Sequence, residues 1–385
     1  MPFEFLEPVS SNLIADLMKF DKKSVGRNIY IHTDEWTVPD LKDIDIAIIV
    51  INETRGSILD NPVLLDFNEI RRNLYKLFPG NWGVSIADLG TIHPGNTLQD
   101  TYYLVQEITQ DLLKADVIPI LLGGSQDLAY YQYRAYDVLE RMVNMVNVDA
   151  TFDLGNVATT LTNQSYVGKI IVDQPYNLFN YSNIGYQTYF NSQEHIDLIE
   201  KLYFDAYRLG DVITDITIVE PIMRDADLVS IDLKALQNSF VSPEVISPNG
   251  FNHREICAIS RYAGISDKVK SLSIFECFQE NKHQYLLIAQ MIWYFIEGLN
   301  YRTNELNIKS KKETLHYQVP VEDEILSFYQ SSITKRWWIE IPFLPSGNNK
   351  LERHTLLPCT YNDYKRACNQ EIPERWYKAK RKNEV

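Results

Sequence analysis

Asp149 and Asp153 bracket the segment Asp149-Ala150-Thr151-Phe152-Asp153, directly after the apolar run Met145-Val146-Asn147-Val148. Two carboxylates four residues apart, at the C-terminal end of a buried strand, can hold a cation between them. A third carboxylate, Asp232, has the same placement in Val229-Ser230-Ile231-Asp232-Leu233-Lys234. One acidic pair alone reads equally well as a strand-end cap and a loop charge. The third residue at a matching strand end favours one shared pocket. An all-oxygen set of this kind suits a hard ion such as Mg²⁺ or Ca²⁺. A hydrolytic two-metal centre would want histidines and further carboxylates alongside, and the chain offers Gln126, Thr151 and Lys234. His93, His195, His253 and His283 are scattered, no pair has ligand spacing, and they read as surface or satisfied histidines.

The elements that must position these residues follow a regular pattern. Ile46–Ile51 is a continuous apolar run of strand length, as expected for a strand buried on both faces. Further strands are expected over 84–90, 117–122, 145–148, 183–186, 228–231 and 270–275. Helical periodicity marks 67–77, 101–115, 193–209, 255–263 and 284–299. Apolar strands alternating with amphipathic helices predict an α/β fold, three layers with a mostly parallel central sheet covered on both faces. In such folds ligands sit beyond the carboxyl ends of the strands. Gly123-Gly124, Asp149, Asp232 and Glu276 all fall just after strand runs, which places them in one pocket. Gly123-Gly124 lacks a phosphate-loop pattern and reads as tight-turn geometry.

The 385 residues divide into an N-terminal extension (1–44), an α/β domain (45–300) and a C-terminal extension (301–385) rich in basic and aromatic residues. The extension carries 15 basic against 11 acidic residues, a net of +4, while the rest carries 22 against 40, a net of −18. A basic tail on an acidic body implies a tail that docks on its own domain or meets a protein partner. Lys309-Ser310-Lys311-Lys312 reads as an exposed linker, Trp337-Trp338 as packing against the parent domain, and Lys378–Lys382 as a frayed end. The overall charge of −14 argues against a nucleic-acid partner. Cys257, Cys277, Cys359 and Cys368 form no CxxC pair, so neither a zinc knuckle nor a redox motif is indicated; Cys277 alone falls near the pocket, as an inert buried thiol. The N-terminus lacks a signal-peptide pattern, and no uncharged apolar run reaches the roughly 18–20 residues that span a bilayer. A cytoplasmic protein with reduced thiols is the expectation.

These strand-end motifs, taken in order, resemble the ureohydrolase family of arginase, agmatinase and formimidoylglutamase, nearest to its formimidoylglutamase-like branch. Asn52-Glu53-Thr54-Arg55-Gly56 with Glu69–Leu74 looks like the opening strand and first helix, and Asp88-Leu89-Gly90 is similar to the next strand end. Leu122-Gly123-Gly124-Ser125-Gln126-Asp127 stands where the family has Gly-Gly-Asp-His-Ser. Asp149–Asp153 stands in place of Asp-Ala-His-x-Asp, and Ser230–Gln237 in place of Ser-x-Asp-x-Asp-x-x-Asp. Ser273-Ile274-Phe275-Glu276 matches the late strand that ends in a substrate-side Glu.

The resemblance implies an arginase-like fold over about 45–300 and two manganese ions bridged by a hydroxide that attacks a guanidinium or formimino carbon. Carried over by motif position, its six metal ligands fall on Gln126, Asp149, Thr151, Asp153, Asp232 and Lys234, of which three are aspartates as in the family. A charged lysine cannot ligate a cation, and beside Asp149 and Asp232 it stays charged. It can instead offer positive charge and three donors to the same carboxylates. The family also carries a proton-transferring histidine after the second motif, and no histidine lies between residues 94 and 194. The expectation is a binding or scaffold protein that has lost the dinuclear centre and carries no metal. The alternative is a divergent amidine hydrolase using one divalent ion (Mg, Ca or Mn) on Asp149, Asp153, Asp232 and Gln126. Glu276 either keeps a substrate-side place or pairs with a cation such as Lys234 or Arg254. The resemblance also makes a homo-oligomer possible.

Overall fold

The computed structural model describes residues 2–237, 239–242, 245–278, 282–305, 314–342 and 356–384. The linker read at 309–312 lies outside the described residues. In chain order the strands of the main sheet are β1 (Tyr30–Ile31), β2 (Ile46–Ile51), β3 (Ile86–Ile92), β4 (Ile118–Gly123), β5 (Val143–Val148), β6 (Leu178–Tyr186), β7 (Asp205–Arg208) and β8 (Leu228–Asp232). A small antiparallel pair, β9 (Ser239–Ser242) and β10 (Val245–Ser247), precedes the last main-sheet strand, β11 (Ser271–Phe275). The nine strands are ordered β1-β3-β2-β4-β11-β8-β5-β6-β7, and every pairing is parallel. β2, β4, β5, β8 and β11 are buried along their whole length, which is why β2, β4 and β11 read as unbroken apolar or small-residue runs, while β5 carries the buried Asn144 and Asn147 and β8 ends on Asp232.

Helices cover both faces. On one side α2 (Phe67–Lys76), α9 (His253–Ile265) and α10 (Lys282–Leu299) bury Leu74, Ile259, Ile292 and Phe295 against Ile48, Ile120 and Ile231. On the other, α3 (Leu98–Lys114), α4 (Leu128–Arg134) and α5 (Tyr166–Val172) bury Ile108, Tyr133 and Tyr166 against Ile49, Leu121 and Phe275. Capping boxes start α3 (Thr97 with Asp100) and α9 (Asn252 with Glu255), fixing where chain leaving a strand turns into helix.

Two stretches differ from the sequence reading. The helix expected over 193–209 ends at Lys201 as α6 (Gln193–Lys201). Tyr203 then takes φ +57, the Phe204 amide bonds back to the Ile199 carbonyl at 3.0 Å, and the chain continues as the edge strand β7. A left-handed residue closes a helix as glycine usually does, and four residues of strand are too few to show a period. Residues 1–44, read as an extension, contribute β1 to the sheet, and Val9, Leu13, Leu17 and Val25 to the core.

The C-terminal region forms a second, antiparallel sheet ordered β12 (Thr314–Val321), β13 (Glu324–Ser331), β14 (Trp337–Glu340), β15 (Leu356–Cys359). Phe328, Trp337 and Ile339 pack there with Trp376 and Ala379. The two latter residues belong to α12 (Glu374–Glu384), so Lys378–Lys382 is an ordered part of that helix rather than a frayed end. Lys378 donates to the Phe204 carbonyl at 3.3 Å, and Lys382 to Asn180 Oδ1. Arg224 of the body donates to the Trp337 carbonyl at 3.1 Å and stacks 4.3 Å from the Trp338 ring. The basic tail is thus docked on its own acidic body, with Trp337 and Trp338 buried in the seam. Among the described residues no helix is long and apolar enough to cross a membrane.

Candidate metal centre

The pocket begins at the C-terminal ends of β4, β5, β8 and β11, adjacent strands whose parallel order brings four loops together. Asp149 follows β5. Its amide bonds to the Ile184 carbonyl at 3.1 Å, and its Oδ1 accepts from the Thr151 amide at 2.9 Å and the Thr151 hydroxyl at 3.1 Å. Asp153 takes φ +49, a left-handed backbone uncommon for any residue but glycine and found at sites whose surroundings hold it there. Its Oδ1 accepts from the Thr151 hydroxyl at 2.8 Å, while its buried Oδ2 has no partner. Asp232 closes β8. One ligand oxygen each from Asp149, Asp153 and Asp232 lie within 4.8 Å of one another, and all three residues are buried.

Lys234 faces this triad. Its Nζ lies 2.9 Å from Asp232 Oδ2 and 3.8 Å from Glu276 Oε2. Of the two cations considered for Glu276, Lys234 is therefore the one that meets it. Glu276, at φ +57 just past β11, also accepts from the Gln126 amide at 2.9 Å and from Asn163 Nδ2 at 3.0 Å. Burial pulls the Lys234 ammonium down, but Asp232, Glu276, Asp153 and Asp149 outweigh it and hold it above its ordinary pKa, so it is charged. Burial, together with their crowding, pushes the Asp149 carboxyl well up, and raises that of Asp153 to about 6 despite Lys234.

Gln126 bridges two sets of polar atoms. With its nitrogen toward the carboxylates it donates to Asp232 Oδ2 at 2.8 Å and Asp149 Oδ2 at 3.1 Å, and its oxygen accepts from the Tyr166 hydroxyl at 3.1 Å. Turned the other way, the nitrogen donates to Asn147 Oδ1 at 3.0 Å and the oxygen points at the two carboxylates.

The sequence reading missed the residues that brace these loops. Asn183 donates to the Thr151 carbonyl at 2.8 Å, Asn191 donates to the Ala150 carbonyl at 3.0 Å and accepts from the Phe152 amide at 2.9 Å, and the Gln187 amide bonds to the Ala150 carbonyl at 3.0 Å. None carries a motif, and only their position just inside or after β6 hinted at them. Cys277 is buried beside Glu276 with its thiol pushed up, mainly by burial, and is inert. His93 pairs instead with Glu7 at 2.5 Å, at a cleft of about 300 Å³ lined by Asn52, Asp66, Arg71 and Thr91. That cleft opens at the ends of β2 and β3, and no residue of the triad lines it.

Comparison with known proteins decides the family. The model of the arginase family matches residues 22–296. This chain belongs to the arginase family. It is 25% identical over 228 residues to the formimidoylglutamase of Staphylococcus haemolyticus, covering 55% of this chain and 71% of that protein. The structure of Trypanosoma cruzi formiminoglutamase with Mn2+2 superposes with a TM-score of 0.62 at 17% identity, covering 74% of this chain and all (100%) of the other. Formimidoylglutamase from Bacillus subtilis gives 0.58 at 16% identity, covering 71% and 97%. The arginase-like α/β fold and the formimidoylglutamase-like resemblance both hold. The manganese in that neighbour makes a divalent ion the relevant group to test against this pocket. Lys234 itself does not fit a metal-ligand role: its ammonium has no lone pair, and it stands 2.9 Å from Asp232.

Proposed function

We propose that this arginase-family protein keeps the ureohydrolase pocket but does not run two-metal hydrolysis, and that it acts by binding. One observation carries the reading: the charged Lys234 ammonium sits among Asp232, Glu276, Asp153 and Asp149, in an ion pair with Asp232 at 2.9 Å. Two-metal hydrolysis relies on a pair of cations to generate and hold a nucleophilic hydroxide. A lysine supplies charge without making water acidic. Thr151 and Gln126, where the resemblance expects histidines, are used instead to hydrogen-bond the aspartates.

The test is turnover. Purified protein with excess Mn²⁺ is given formiminoglutamate, arginine or agmatine, and formamide, urea or ammonia is measured. No release above background is the expected result. Turnover near 1 s⁻¹, within the ordinary enzyme range, overturns the reading. The curated relatives named formimidoylglutamase favour a second reading, a divergent hydrolase of a linear amidine C–N bond. It requires measurable turnover that disappears in Asp232→Ala.

A further inference from the structure

We infer that Asp149, Asp153, Asp232 and the Gln126 side-chain oxygen bind one hard divalent cation, and that Lys234 takes the place of a second. The inference rests on the reading above, that the pocket is not a two-metal centre, and adds what occupies the remainder.

Three observations carry it. The first is charge. Lys234 lies at ion-pair distance from Asp232 and Glu276, whereas the donors that Thr151, Asn147 and the Gln126 side chain offer to Asp149 and Asp153 are neutral. The single ammonium is thus shared between Asp232 and Glu276, and a divalent ion would supply the positive charge that Asp149 and Asp153 lack. Uncompensated buried carboxylates are costly. The second is an orphan. Asp153 is 6% exposed, and its Oδ2 has no hydrogen-bond partner. A buried carboxylate oxygen without a donor is what a cation ligand looks like without its cation. The third is the Gln126 amide, fully buried and held between two polar sets. Its nitrogen donates to Asp232 Oδ2 at 2.8 Å and Asp149 Oδ2 at 3.1 Å; with the oxygen there instead, three oxygens would converge with no proton among them. A cation makes that orientation favourable; without one, the amide turns and donates. Gln126 is thus a ligand in one state and a donor in the other.

The donor set is oxygen throughout, which selects Mg²⁺, Ca²⁺ or Mn²⁺ over ions that prefer nitrogen or sulfur. Gln126 offers one carbonyl and the aspartates up to six oxygens, enough for one ion. Glu276 already accepts from the Gln126 backbone amide and Asn163, and pairs with Lys234.

The experiment is stoichiometry. Full-length protein is dialysed against chelator, then titrated calorimetrically with Mn²⁺, Mg²⁺ and Ca²⁺ salts, and bound Mn²⁺ is followed by electron paramagnetic resonance. One ion per chain is expected, with affinity falling at least tenfold in Asp153→Asn. Gln126→Ala serves if that variant fails to fold, and is expected to weaken binding likewise. Lys234→Asp is expected to bind two ions, with the spin coupling of a Mn²⁺ pair. No ion on the wild-type protein overturns this inference and leaves the reading of function standing. Two ions on the wild type overturn both. Unchanged affinity in Asp153→Asn and Gln126→Ala overturns the ligand assignment, and one ion on Lys234→Asp overturns the role given to the lysine.

Discussion

Asp127 shows how strongly this pocket's surroundings act on a single carboxyl. It is fully buried one residue past Gln126, with Oδ2 accepting from the Tyr102 hydroxyl at 2.5 Å and Oδ1 without a partner. Burial raises its pKa to about 7; the Ser125 and Tyr102 hydrogen bonds pull it down, and Glu276 adds to the rise. In the unfolded chain an aspartate titrates near its ordinary value of about 3.9. Between these two pH values the folded state holds the extra proton, so its contribution is fully present below about pH 4 and is lost as pH rises through about 7. At about 1.4 kcal/mol per unit, the loss is at most about 4 kcal/mol. Asp127→Asn keeps an acceptor for Tyr102 and removes the titration. The stability of the variant relative to wild type should therefore rise between pH 4 and pH 8, read from urea unfolding at each pH. A constant difference across that range would mean that Asp127 ionises normally.

The elements that carry the site are strand ends, and one depends on a glycine for want of space. A Cβ on Gly124 would lie 1.9 Å from the Glu53 carbonyl oxygen, a backbone atom that cannot swing aside. The same turn is pinned by the Ser125 amide on the Glu53 carbonyl at 3.0 Å and the Glu276 amide on the Gly124 carbonyl at 2.7 Å. Gly124→Ala is expected to cost at least about 3 kcal/mol, the upper range for overpacking, because backbone must move. It should also loosen Gln126 and Glu276 together. A cost below about 1 kcal/mol in urea unfolding would show that the turn has slack. Strand ends of this kind were legible from the sequence because a strand buried on both faces leaves a run such as Ile46–Ile51 that polar residues interrupt only where it stops. The residues that make the site rigid were not legible. Asn163, Asn183 and Asn191 act through a few side-chain hydrogen bonds to the site loops, and no period or spacing marks a side chain whose partner is remote in the chain. The same holds for β7, too short to alternate, and for residues 1–44, whose buried positions are too few to read as a strand-and-helix layer.

At the scale of the molecule, polarity along the parallel sheet separates two functions of charge. The candidate centre lies beyond the carboxyl ends of β4, β5, β8 and β11. The tail meets the opposite ends: Asp205 opens β7, Asn180 stands early in β6, and Asp225 and Asp227 immediately precede β8. Lys378 lies 3.9 Å from Asp205, Arg375 4.0 Å from Asp225, and Lys268 of the body 3.4 Å from Asp227. Among the described residues, Arg375 and Lys378 of the tail therefore place their charge at the amino pole, away from the triad. This separation predicts independence. Sites that share no partners respond additively, so Lys378→Ala combined with Arg375→Ala should loosen the tail without touching the triad. Hydrogen exchange should quicken in α12 and at Asp205–Arg208, and the melting temperature should fall, while the number of ions bound per chain and their affinity stay within about twofold of wild type. A matched loss of ion affinity would place the two poles in one coupled unit, and the tail would then belong to the site after all.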